Sequence, residues 1–595
     1  MTPELFLAAK ASEAIKAVYG AEVDLATLQV QVTRKEFEGD FTLVTFPLLR
    51  ISHATPENTG NALGTWLVEQ VPEIAGYNSV KGFLNIQFSN LYWNELFADI
   101  AGDPSFGQFP DTGRNIMVEF SSPNTNKPLH LGHIRNNLLG DSVSRLLRAR
   151  GNHVITSTLV NDRGVHICKS MLAWEKVGQG ATPESSGKKG DHLVGDMYVA
   201  FNDIFKSQVT ALVAGGMPRE EAEKQAPCLQ EAHEMLRKWE AGDPAVRALW
   251  ERMNGWVLAG FDQTYKALGI SFDKTYFESQ TYLLGKELVQ KGLEMGVFVQ
   301  DPDGSVWCDL TADGLDRKLL LRSDGTSVYI TQDLGTAERR FSEYSLDSHV
   351  YVVGDEQNYH FQVLKLLLSK LGFPWADQIF HLSYGMVELP EGKMKSREGT
   401  VVDADDLIQK MYEEAKATSE EAGKLEDLPA DERERLYRMI GLGALKYFIL
   451  KVDPKKTMLF NPKESIDFNG NTGPFIQYTH ARICSILRKA REQGLSFRAA
   501  ELPKVELSAK EIRLVKLLNL FPAKIAEGAA AYSPAVIAGF AFDLAKEFNQ
   551  YYHETPVLKE VDASLRQARL VLIDTLARVL RTATGILGIQ LPDRM

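Results

Sequence analysis

A strand, a loop, a helix and a second strand follow one another between residues 115 and 160. Residues 115–120 (NIMVEF) form a short apolar run, and residues 153–160 (HVITSTLV) have the character of another strand. The segment between them begins as a polar loop and continues with apolar residues three to five positions apart, as in a helix. Because a helix that joins neighbouring strands in this way makes them parallel, we predict an α/β fold with a parallel sheet.

The same order of elements recurs further along the chain. Residues 350–353 (VYVV) form a buried-type strand, residues 354–360 a loop, and residues 361–372 a helix. Between the two units, roughly residues 165–300 are polar and rich in helical patterns. We interpret this stretch as a helical insertion into one α/β domain.

The two ends of the chain differ from this central part. Residues 1–105 mix helical patterns with strand-like runs at residues 30–32, 41–46 and 83–88, where apolar and polar residues partly alternate. After about residue 430 the strand signals fade and long segments keep helical periodicity, which predicts a separate all-α domain. At roughly 150 residues per domain, 595 residues are expected to hold three or four domains.

The composition gives no sign of a membrane protein. Hydrophobic residues make up 44% and charged residues 24% of the chain, which is ordinary for a globular protein in water. No apolar run approaches the roughly 20 residues that a membrane helix needs. The first residues, MTPELFLAAK, lack the basic start and apolar core of a signal peptide. We therefore expect a cytoplasmic protein with no membrane partner.

The cysteines and the net charge exclude two simple classes of function. Cys168, Cys228, Cys308 and Cys484 lie far apart and form no C-x-x-C pair, so we expect neither a disulfide framework nor a zinc site. The formal net charge of −12 gives no general argument for nucleic-acid binding. A large acidic protein can still carry a local basic surface.

The most specific motif is His130-Leu131-Gly132-His133, which opens the helix of the first unit. A helix start carries unpaired N–H groups and the positive end of the helix dipole, and both suit a phosphate chain. Gly132 lets a nucleotide approach the backbone, and two histidines on one helix face can donate to phosphate oxygens. A metal site without an evident third ligand and ordinary helix-start residues are the alternatives.

A second motif is the basic loop at residues 393–399 (KMKSREG), which follows a strand-like segment and a turn. A mobile, cation-rich loop can close over the phosphates of ATP and neutralise the charge on leaving pyrophosphate. Taken alone, such a loop is more often a solvated surface turn.

Together and in this order, the two motifs resemble the HIGH and KMSKS elements of class I aminoacyl-tRNA synthetases. Residues 118–141 (VEFSSPNTNKPLHLGHIRNNLLGD) are similar to the first element as the arginyl-tRNA synthetase family carries it. Further blocks of similarity to that family are residues 329–335, 352–362, 471–489 and 586–595. The matching blocks run from about residue 80 to the end of the sequence.

The resemblance implies a Rossmann-like class I synthetase catalytic domain with a helical insertion, an N-terminal α/β domain and an all-α C-terminal anticodon-binding domain. The implied division is residues 1–108 for the N-terminal domain that contacts tRNA, 109–390 for the catalytic domain with its insertion at about 170–300, 391–445 for a connecting segment with the basic loop, and 446–595 for the anticodon-binding domain.

The resemblance also implies the activity of an arginine–tRNA ligase. ATP activates L-arginine to arginyl-adenylate with release of pyrophosphate. The 2′-hydroxyl of the terminal adenosine of arginine tRNA then receives the arginine, and AMP is released. We expect ATP with Mg²⁺ as the cofactor, arginine tRNA, ATP and L-arginine as the partners, and a monomeric protein.

Individual residues take their roles from the same resemblance. The arginine pocket is expected to contain Glu119, Ser122, Asn124, Tyr329, Asp333 and Gln357, and carboxylate and amide acceptors suit an always-charged guanidinium, with Asp333 as its main partner. The expected ATP contacts are His130, Gly132, His133, Gln362, Met386, Val387, Lys393, Lys395 and Ser396. The expected tRNA contacts are Asn85, Gln477, Tyr478, His480, Arg482, Tyr551 and Tyr552, although aromatic residues at helical spacing are more often core.

The basic loop departs from the family pattern at one position. The usual K-M-S-K-S has lysine in fourth place, and Ser396 stands there in this chain. We expect Lys127, three residues before His130, to supply the missing charge, so the implied catalytic residues are Lys127, His130, His133 and Lys393. Lys395 in this role, or a solvated Lys127, is the alternative.

Two other functions compete with this interpretation. Small nucleotidyltransferases of related fold also carry H-x-G-H, but the helical domain and the arginine-pocket block argue against that class. A non-catalytic relative that binds tRNA as a regulator would belong to a different class. The intact residues His130, His133, Lys393, Asp333 and Gln357 argue against it.

Overall fold

The computed structural model describes residues 2–388, 402–421, 423, 425 and 428–595. The basic loop, with the predicted ATP contacts Lys393, Lys395 and Ser396, lies outside the described residues. Among the helices of the described ranges, none is both long enough and apolar enough to cross a membrane.

The N-terminal region is a four-stranded antiparallel sheet with helices packed on it. Its strand order is β1-β2-β4-β3. The predicted strands at residues 30–32 and 83–88 are confirmed, whereas β3 was not predicted because its sequence IAGYNSV does not alternate and shifts register near Gly76. The elements are α1 (Pro3–Tyr19), β1 (Val30–Val32), β2 (Phe41–Val44), α2 (Leu49–Ser52), α3 (Pro56–Gln70), β3 (Ile74–Val80), β4 (Phe83–Phe88) and α4 (Asn90–Gly102).

The central sheet has five parallel strands in the order β12-β11-β5-β6-β7, which confirms the predicted parallel α/β fold. These strands are β5 (Asn115–Glu119), β6 (His153–Val160), β7 (Lys274–Phe277), β11 (Ser348–Gly354) and β12 (Ile379–Tyr384), and helix α5 (Leu131–Ala149) joins β5 to β6. From β5 the chain runs to one side through β6 and β7 and later returns on the other side as β11 and β12. The strand order therefore reverses between β5 and β11, where doubly wound folds bind their ligands.

A helical insertion fills the connection between β6 and β7, as predicted. It ends earlier than the expected range of about 170–300, because β7 rejoins the central sheet. The sequence did not show this strand, because its four residues are too few to show a strand period. The helices are α6 (Val165–Val177), α7 (Pro183–Ser186), α8 (Gly190–Ala214), α9 (Arg219–Gln225), α10 (Pro227–Glu240) and α11 (Pro244–Leu268).

A small antiparallel sheet with the strand order β10-β9-β8 follows β7. The elements of this part are α12 (Glu278–Thr281), α13 (Lys286–Glu294), β8 (Val299–Gln300), β9 (Val306–Cys308), β10 (Lys318–Leu321), α14 (Tyr329–Tyr344), α15 (Asn358–Lys370), β13 (Val387–Glu388) and α16 (Ala404–Glu421). Turns of 3₁₀ helix lie at Leu25–Thr27, Phe46–Leu48, Thr311–Asp313, Asp355–Gln357, Ala376–Gln378 and Ala499–Glu501.

Both faces of the central sheet are covered, as expected for parallel strands. Ile116 and Val118 of β5 face a large apolar cluster that contains the buried side of α5. Met117, between them, faces a second cluster built from α14, α15 and the small sheet. This alternation fixes α5 on one side and α14 on the other side of the point where the strand order reverses.

The C-terminal region is helical, as predicted. Its elements are α17 (Ala430–Leu450), β14 (Met458–Leu459), α18 (Pro462–Ser465), α19 (Gly473–Glu492), α20 (Ala509–Asn519), α21 (Phe521–Ala531), α22 (Pro534–Glu554) and α23 (Ala563–Ile586). The expected boundary between residues 445 and 446 falls inside α17, so it divides one continuous buried helix. Apolar residues of these helices belong to the same cluster as α5 and the N-terminal sheet.

Candidate active site

The loop after β5 is held in a strained conformation at the carboxyl edge of the sheet. Ser121 and Ser122 have φ of 71° and 45°, values that are uncommon for residues other than glycine. The Ser121 N–H donates to Asn136 Oδ1 (2.5 Å), and the Ser122 N–H donates to Thr158 Oγ1 (3.1 Å). Strain of this kind persists where the surroundings hold it and is concentrated at functional sites.

His130 and His133 cap the first turn of α5 reciprocally. His130 Nδ1 accepts from the Gly132 N–H (3.1 Å), and His133 Nδ1 accepts from the His130 N–H (3.2 Å). A neutral imidazole that accepts through Nδ1 carries its proton on Nε2. Both rings, whose centroids are 3.9 Å apart, therefore offer an Nε2–H donor.

The two imidazoles are neutral near pH 7. Burial, with a smaller contribution from the charge of Lys127, lowers the pKa of His130 to about 4. Burial also lowers the pKa of His133 well below its usual value, and His130 and Lys127 add to this shift. The pair acts as a set of neutral hydrogen-bond donors, and Lys127 is the nearby permanent charge.

Fewer unpaired backbone N–H groups are available at the start of α5 than the sequence suggested. The Leu131 N–H donates to the Val402 carbonyl (3.0 Å), and the Ala404 N–H donates to the Leu129 carbonyl (3.0 Å). With the Gly132 N–H bonded to His130, two of the first amides of the helix are already used. A Cβ at Gly132 would lie 2.9 Å from the His130 ring, so this glycine is required by the histidine cap. Phosphate binding here therefore depends on side-chain donors.

A cleft of about 620 Å³ opens beside the histidine pair. Asn124, Lys127, His130 and Tyr329 line it, so it joins predicted residues of the ATP site to predicted residues of the arginine pocket. The insertion contributes a wall that the sequence did not predict, formed by His166, His192, Gly195, Asp196, Tyr198 and Val199. A Cβ at Gly195 would lie 2.8 Å from Pro128 Cδ, so this glycine lets α8 approach the loop that carries Lys127.

The carboxylates of the predicted arginine pocket lie next to β5 and α14, and each has a cationic or donor partner. Glu119, at the end of β5, is buried and paired with Arg340 of α14. Asp333, also on α14, accepts from His360 Nε2 (2.6 Å). Burial raises the pKa of Glu119, Arg340 opposes this shift and Asp333 adds to it, so the two carboxylates are close enough to interact.

The remaining predicted arginine contacts lie around these carboxylates with different degrees of exposure. Tyr329 begins α14 with 72% of its surface exposed, and Gln357 lies in an exposed 3₁₀ turn after β11. Ser122 Oγ accepts from the Leu159 N–H (3.4 Å), and Asn124 forms a backbone bridge with Asn161. Ser122 and Asn124 are thus attached to the end of β6.

Two acidic residues of the same pocket were missed. Asp162 follows β6 and accepts from the Ser279 N–H (2.8 Å) and hydroxyl (2.7 Å). Glu278 follows β7, and burial raises its pKa to about 7, with Arg163 opposing the shift and Asp162 and Asp333 adding to it. Both residues directly follow parallel strands, so the rule that strand ends share one edge of a sheet would have indicated them.

Met386 and Val387, two neighbouring residues among the predicted ATP contacts, differ in exposure. Met386 is 43% exposed, whereas Val387 is 4% exposed and pairs with Met458 of β14. The side chain of Val387 is therefore part of the core, and its assignment as an ATP contact stays a prediction. Arg135 of α5 fixes this segment by donating to the carbonyls of Met386 (3.4 Å) and Lys456 (2.6 Å). The predicted ATP contact Gln362 is exposed on α15.

Four of the predicted tRNA contacts are buried in this structure, and their role in tRNA binding stays a prediction. Asn85 accepts from Thr42 Oγ1 (2.6 Å), and Gln477 donates to the carbonyls of Met439 (3.1 Å) and Gln590 (2.9 Å). His480 Nδ1 lies 2.9 Å from the Pro592 carbonyl. Tyr551 is 1% exposed and donates to Glu511 (3.3 Å). None of these four can offer a face or an edge to a base without local opening.

The other three predicted tRNA contacts lie at the surface of the helical region. Tyr478, Arg482 and Tyr552 line a cavity of about 550 Å³. Its remaining cationic residues are Arg488, Lys489 and Arg594. Aromatic rings next to cations are the chemistry that binds unpaired bases of RNA.

A metal site at His130 and His133 was one alternative interpretation of the sequence motif. Within the part of the chain that the structure describes, the groups spaced closely enough to hold a metal are His480-Cys484-Asp593 and Asp191-His192-Asp405. Neither group contains His130 or His133. The reciprocal capping accounts for this pair without a metal.

Two family models match the chain. Residues 105–461 match the family described as tRNA synthetases class I (R), catalytic domain. Residues 476–595 match the DALR anticodon binding domain. The first match covers more than half of the chain and contains the cleft, and the second contains the surface around Tyr478 and Tyr552.

Curated relatives match over nearly the full length. The arginine–tRNA ligase of Bacteroides thetaiotaomicron is 56% identical over 591 residues, which are 99% of each chain. The arginine–tRNA ligase of Porphyromonas gingivalis is 53% identical over 587 residues, which are 98% of each chain.

Solved structures agree with this result. An arginyl-tRNA synthetase from Thermus thermophilus matches with a TM-score of 0.77 at 26% identity, over 100% of both chains. An arginyl-tRNA synthetase from Plasmodium falciparum shares the fold, with a TM-score of 0.74 at 18% identity over 99% of this chain and 98% of that one. The chain therefore belongs to the arginine–tRNA ligases, which are class I aminoacyl-tRNA synthetases.

Proposed function

We propose that the cleft beside His130 binds MgATP and L-arginine together, forms arginyl-adenylate and presents it to the 2′-hydroxyl of the terminal adenosine of arginine tRNA. The observation that carries this proposal is the junction of two chemistries in one place. The neutral imidazole of His130 lines the cleft, and so do Asn124 and Tyr329, which lie five residues after Glu119 and one helical turn before Asp333.

The ATP side stabilises developing charge on phosphate. The Nε2–H groups of His130 and His133 donate to phosphate oxygens, and Lys127 supplies the permanent positive charge. Mg²⁺ arrives with ATP and neutralises part of the phosphate charge. The carboxylate of arginine attacks the α-phosphorus, the bond to the bridging oxygen of pyrophosphate breaks, and the enzyme contributes positioning and electrostatics with no covalent protein intermediate.

The arginine side recognises the guanidinium. Asp333 is the main acceptor, Glu119 is the second, and Tyr329 covers the group from the mouth of the cleft. Ser122, Asn124 and Gln357 orient the amino and carboxylate groups. Amino acids without a guanidinium leave buried carboxylates unpaired, so we propose that no separate editing site is needed.

The tRNA is bound at two places on the chain. Tyr478, Arg482 and Tyr552 form the anticodon-loop surface, and the N-terminal sheet contacts another part of the tRNA. The protein is proposed to act as a monomer in the cytoplasm.

Pyrophosphate exchange into ATP, measured with and without arginine and with and without arginine tRNA, tests the proposal. We expect exchange only with arginine, and more strongly with tRNA present. Exchange with lysine or citrulline at the same rate would contradict the arginine pocket. Tight tRNA binding without any amino-acid-dependent exchange would instead support a non-catalytic regulator.

A further inference from the structure

The two carboxylates of the arginine pocket are supported in different ways. Asp333 is about one-third exposed and accepts a hydrogen bond from His360, which is itself partly exposed. Glu119 has 7% of its side chain exposed and contacts Arg340, which has 1% exposed. One carboxylate therefore keeps access to water, and the other is enclosed with a permanent cation.

Arg340 is buried and contacts residues of three strands. It lies two helical turns beyond Asp333 on α14, and its Nη2 contacts Glu119 Oε2. Its Nη1 donates to the Tyr351 hydroxyl (3.2 Å), and its guanidinium lies 4.8 Å from the centre of the Tyr276 ring. An arginine held in this way cannot leave Glu119 when a ligand enters, so it is part of the pocket.

We propose that Arg340 is a positioning residue that keeps Glu119 ionised and oriented before arginine binds. This inference rests on the proposed function of the cleft, because it assumes that Glu119 accepts from the substrate. The contact with Arg340 uses Oε2 of Glu119, so Oε1 is the acceptor left for the guanidinium of the ligand.

The charge balance explains why a permanent internal cation is useful. Taken by themselves, Glu119, Asp333 and Arg340 carry one net unit of negative charge, which attracts the guanidinium of the substrate. Without Arg340, burial and the charge of Asp333 both raise the pKa of Glu119 with nothing to oppose them. The carboxyl would then take up a proton, and arginine would have to displace it on binding.

The groups that face this ion pair come from four elements. Asp333 and Arg340 lie on α14, Tyr351 and His349 on β11, Tyr276 on β7 and Glu119 on β5. Burial raises the pKa of Tyr351 and Tyr276 and lowers that of His349, so these three stay neutral between pH 6 and 8. In the parent, Glu278 of the same pocket already titrates in that range, because burial raises its pKa to about 7. Neutralising Arg340 adds Glu119 as a second titrating carboxyl, so each variant is compared with the parent.

The test compares Arg340→Met, which removes the charge, with Arg340→Lys, which keeps it, and with Arg339→Met as a matched control. Arg339 is a neighbouring, partly exposed arginine whose partner is the surface residue Glu343. For each variant, KM for arginine, KM for ATP and kcat are measured by pyrophosphate exchange with arginine tRNA between pH 6 and 8. Calorimetry in buffers of different ionisation enthalpy gives the protons released when arginine binds.

For Arg340→Met we expect KM for arginine to rise at least tenfold at pH 7, with KM for ATP and kcat changed less than threefold. KM for arginine should fall more steeply with rising pH than in the parent, because deprotonation of Glu119 restores the acceptor, and binding should release close to one proton more than in the parent. Arg340→Lys should recover most of the affinity without this extra proton release, and Arg339→Met should match the parent. An unchanged KM, or an equal and pH-independent loss in the Met and Lys variants, would overturn the proposal.

A further variant covers the case in which Arg340→Met does not fold. The double variant Glu119→Gln, Arg340→Met removes both charges of this ion pair, so it should fold, bind arginine at least tenfold more weakly than the parent and release no more protons than the parent. Arginine binding equal to that of the parent would overturn the proposal. Absence of arginine-dependent exchange in the parent would count against the proposed function, whereas an active parent with an unaffected Arg340→Met variant counts against this inference alone.

Discussion

Site residues were predicted both at the carboxyl edge of the central sheet and on the C-terminal helices. The structure places these two sets of residues differently. At the sheet edge, Asn124, Lys127, His130 and Tyr329 line one cleft. Among the helices, Gln477, His480 and Tyr551 are buried while neighbouring residues are exposed. In a parallel sheet every strand ends at the same edge, so a residue that follows a strand reaches the site. On a helix a shift of one residue turns a side chain by about 100°, so the phase must be known.

The largest expected effect is a difference in stability between variants of two adjacent tyrosines on one helix. Tyr551 is 1% exposed and Tyr552 is 36% exposed. We expect Tyr551→Ala to lower the free energy of unfolding by about 3–5 kcal/mol, the usual range for removing a large buried aromatic side chain. Tyr552→Ala should lower it by less than about 1 kcal/mol. Denaturant unfolding measures both, and similar losses would mean that the two residues do not differ in burial as described.

At the sheet edge, Asp333→Asn should raise KM for arginine by about 100-fold or more. The variant exchanges a charge-assisted contact with an always-charged group for a neutral one. KM for ATP should change little, because Asp333 lies on the arginine side of the cleft. Glu338→Gln on the same helix is the control. Steady-state kinetics with unaltered arginine dependence in Asp333→Asn would exclude Asp333 from the pocket.

Lys127→Ala should lower the rate of adenylate formation by about 100-fold, or about 2.7 kcal/mol in the barrier, and leave arginine binding nearly intact. Lys127 is close enough to influence the pKa of His130, His133 and His166, which places its charge beside the expected phosphates. Lys395→Ala should have a much smaller effect. A drop of less than threefold for Lys127→Ala in single-turnover experiments, or a larger drop for Lys395→Ala, would transfer the role to the basic loop.

How much the sequence could predict depends on which physical rule applied. The parallel sheet followed from strand, helix and strand spacing, and the histidine motif from its position after β5. Asp162 was predictable by the same rule, since it follows the predicted strand β6, but was overlooked. Glu278 was overlooked because β7 has only four residues and no visible period. The partner of Glu119 was not predictable, because Arg340 is more than two hundred residues away in sequence and its burial depends on the packing of α14.

The helical region shows a second limit. Its helices were predicted from periodicity, yet the buried side of α19 contains Gln477, Thr479 and His480 as well as apolar residues. Polar side chains that bond the backbone of the C-terminal tail, such as Gln477 with Gln590, look like surface residues in the sequence. Only the fold shows that the tail covers them.

A smaller effect concerns tRNA at the surface of the same helices. We expect Tyr552→Ala to weaken binding of arginine tRNA by about tenfold, because stacking of one base on an aromatic ring contributes about 1–3 kcal/mol. Filter binding at one salt concentration measures it, since phosphate contacts depend strongly on salt. Val561→Ala, at an apolar position that is 91% exposed and nine residues further along the chain, is the control. Equal affinities of Tyr552→Ala and the parent would remove this tyrosine from the tRNA surface.

The smallest expected effect is the pH dependence of adenylate formation, which tests the histidine pair. The pKa of His130 is lowered to about 4 and that of His133 is lowered further from its usual range, so both rings stay neutral donors as pH falls from 8 to 5.5. The rate at saturating ATP and arginine should therefore change less than threefold over this range. Saturating arginine is needed because Glu278, with a pKa raised to about 7, lies in the same pocket and affects binding. Histidines with the ordinary pKa of about 6.5 would lose about nine-tenths of their neutral form at pH 5.5. A tenfold fall in rate by pH 5.5 that persists in a His166→Asn control would show that the capped, neutral state of His130 and His133 is wrong.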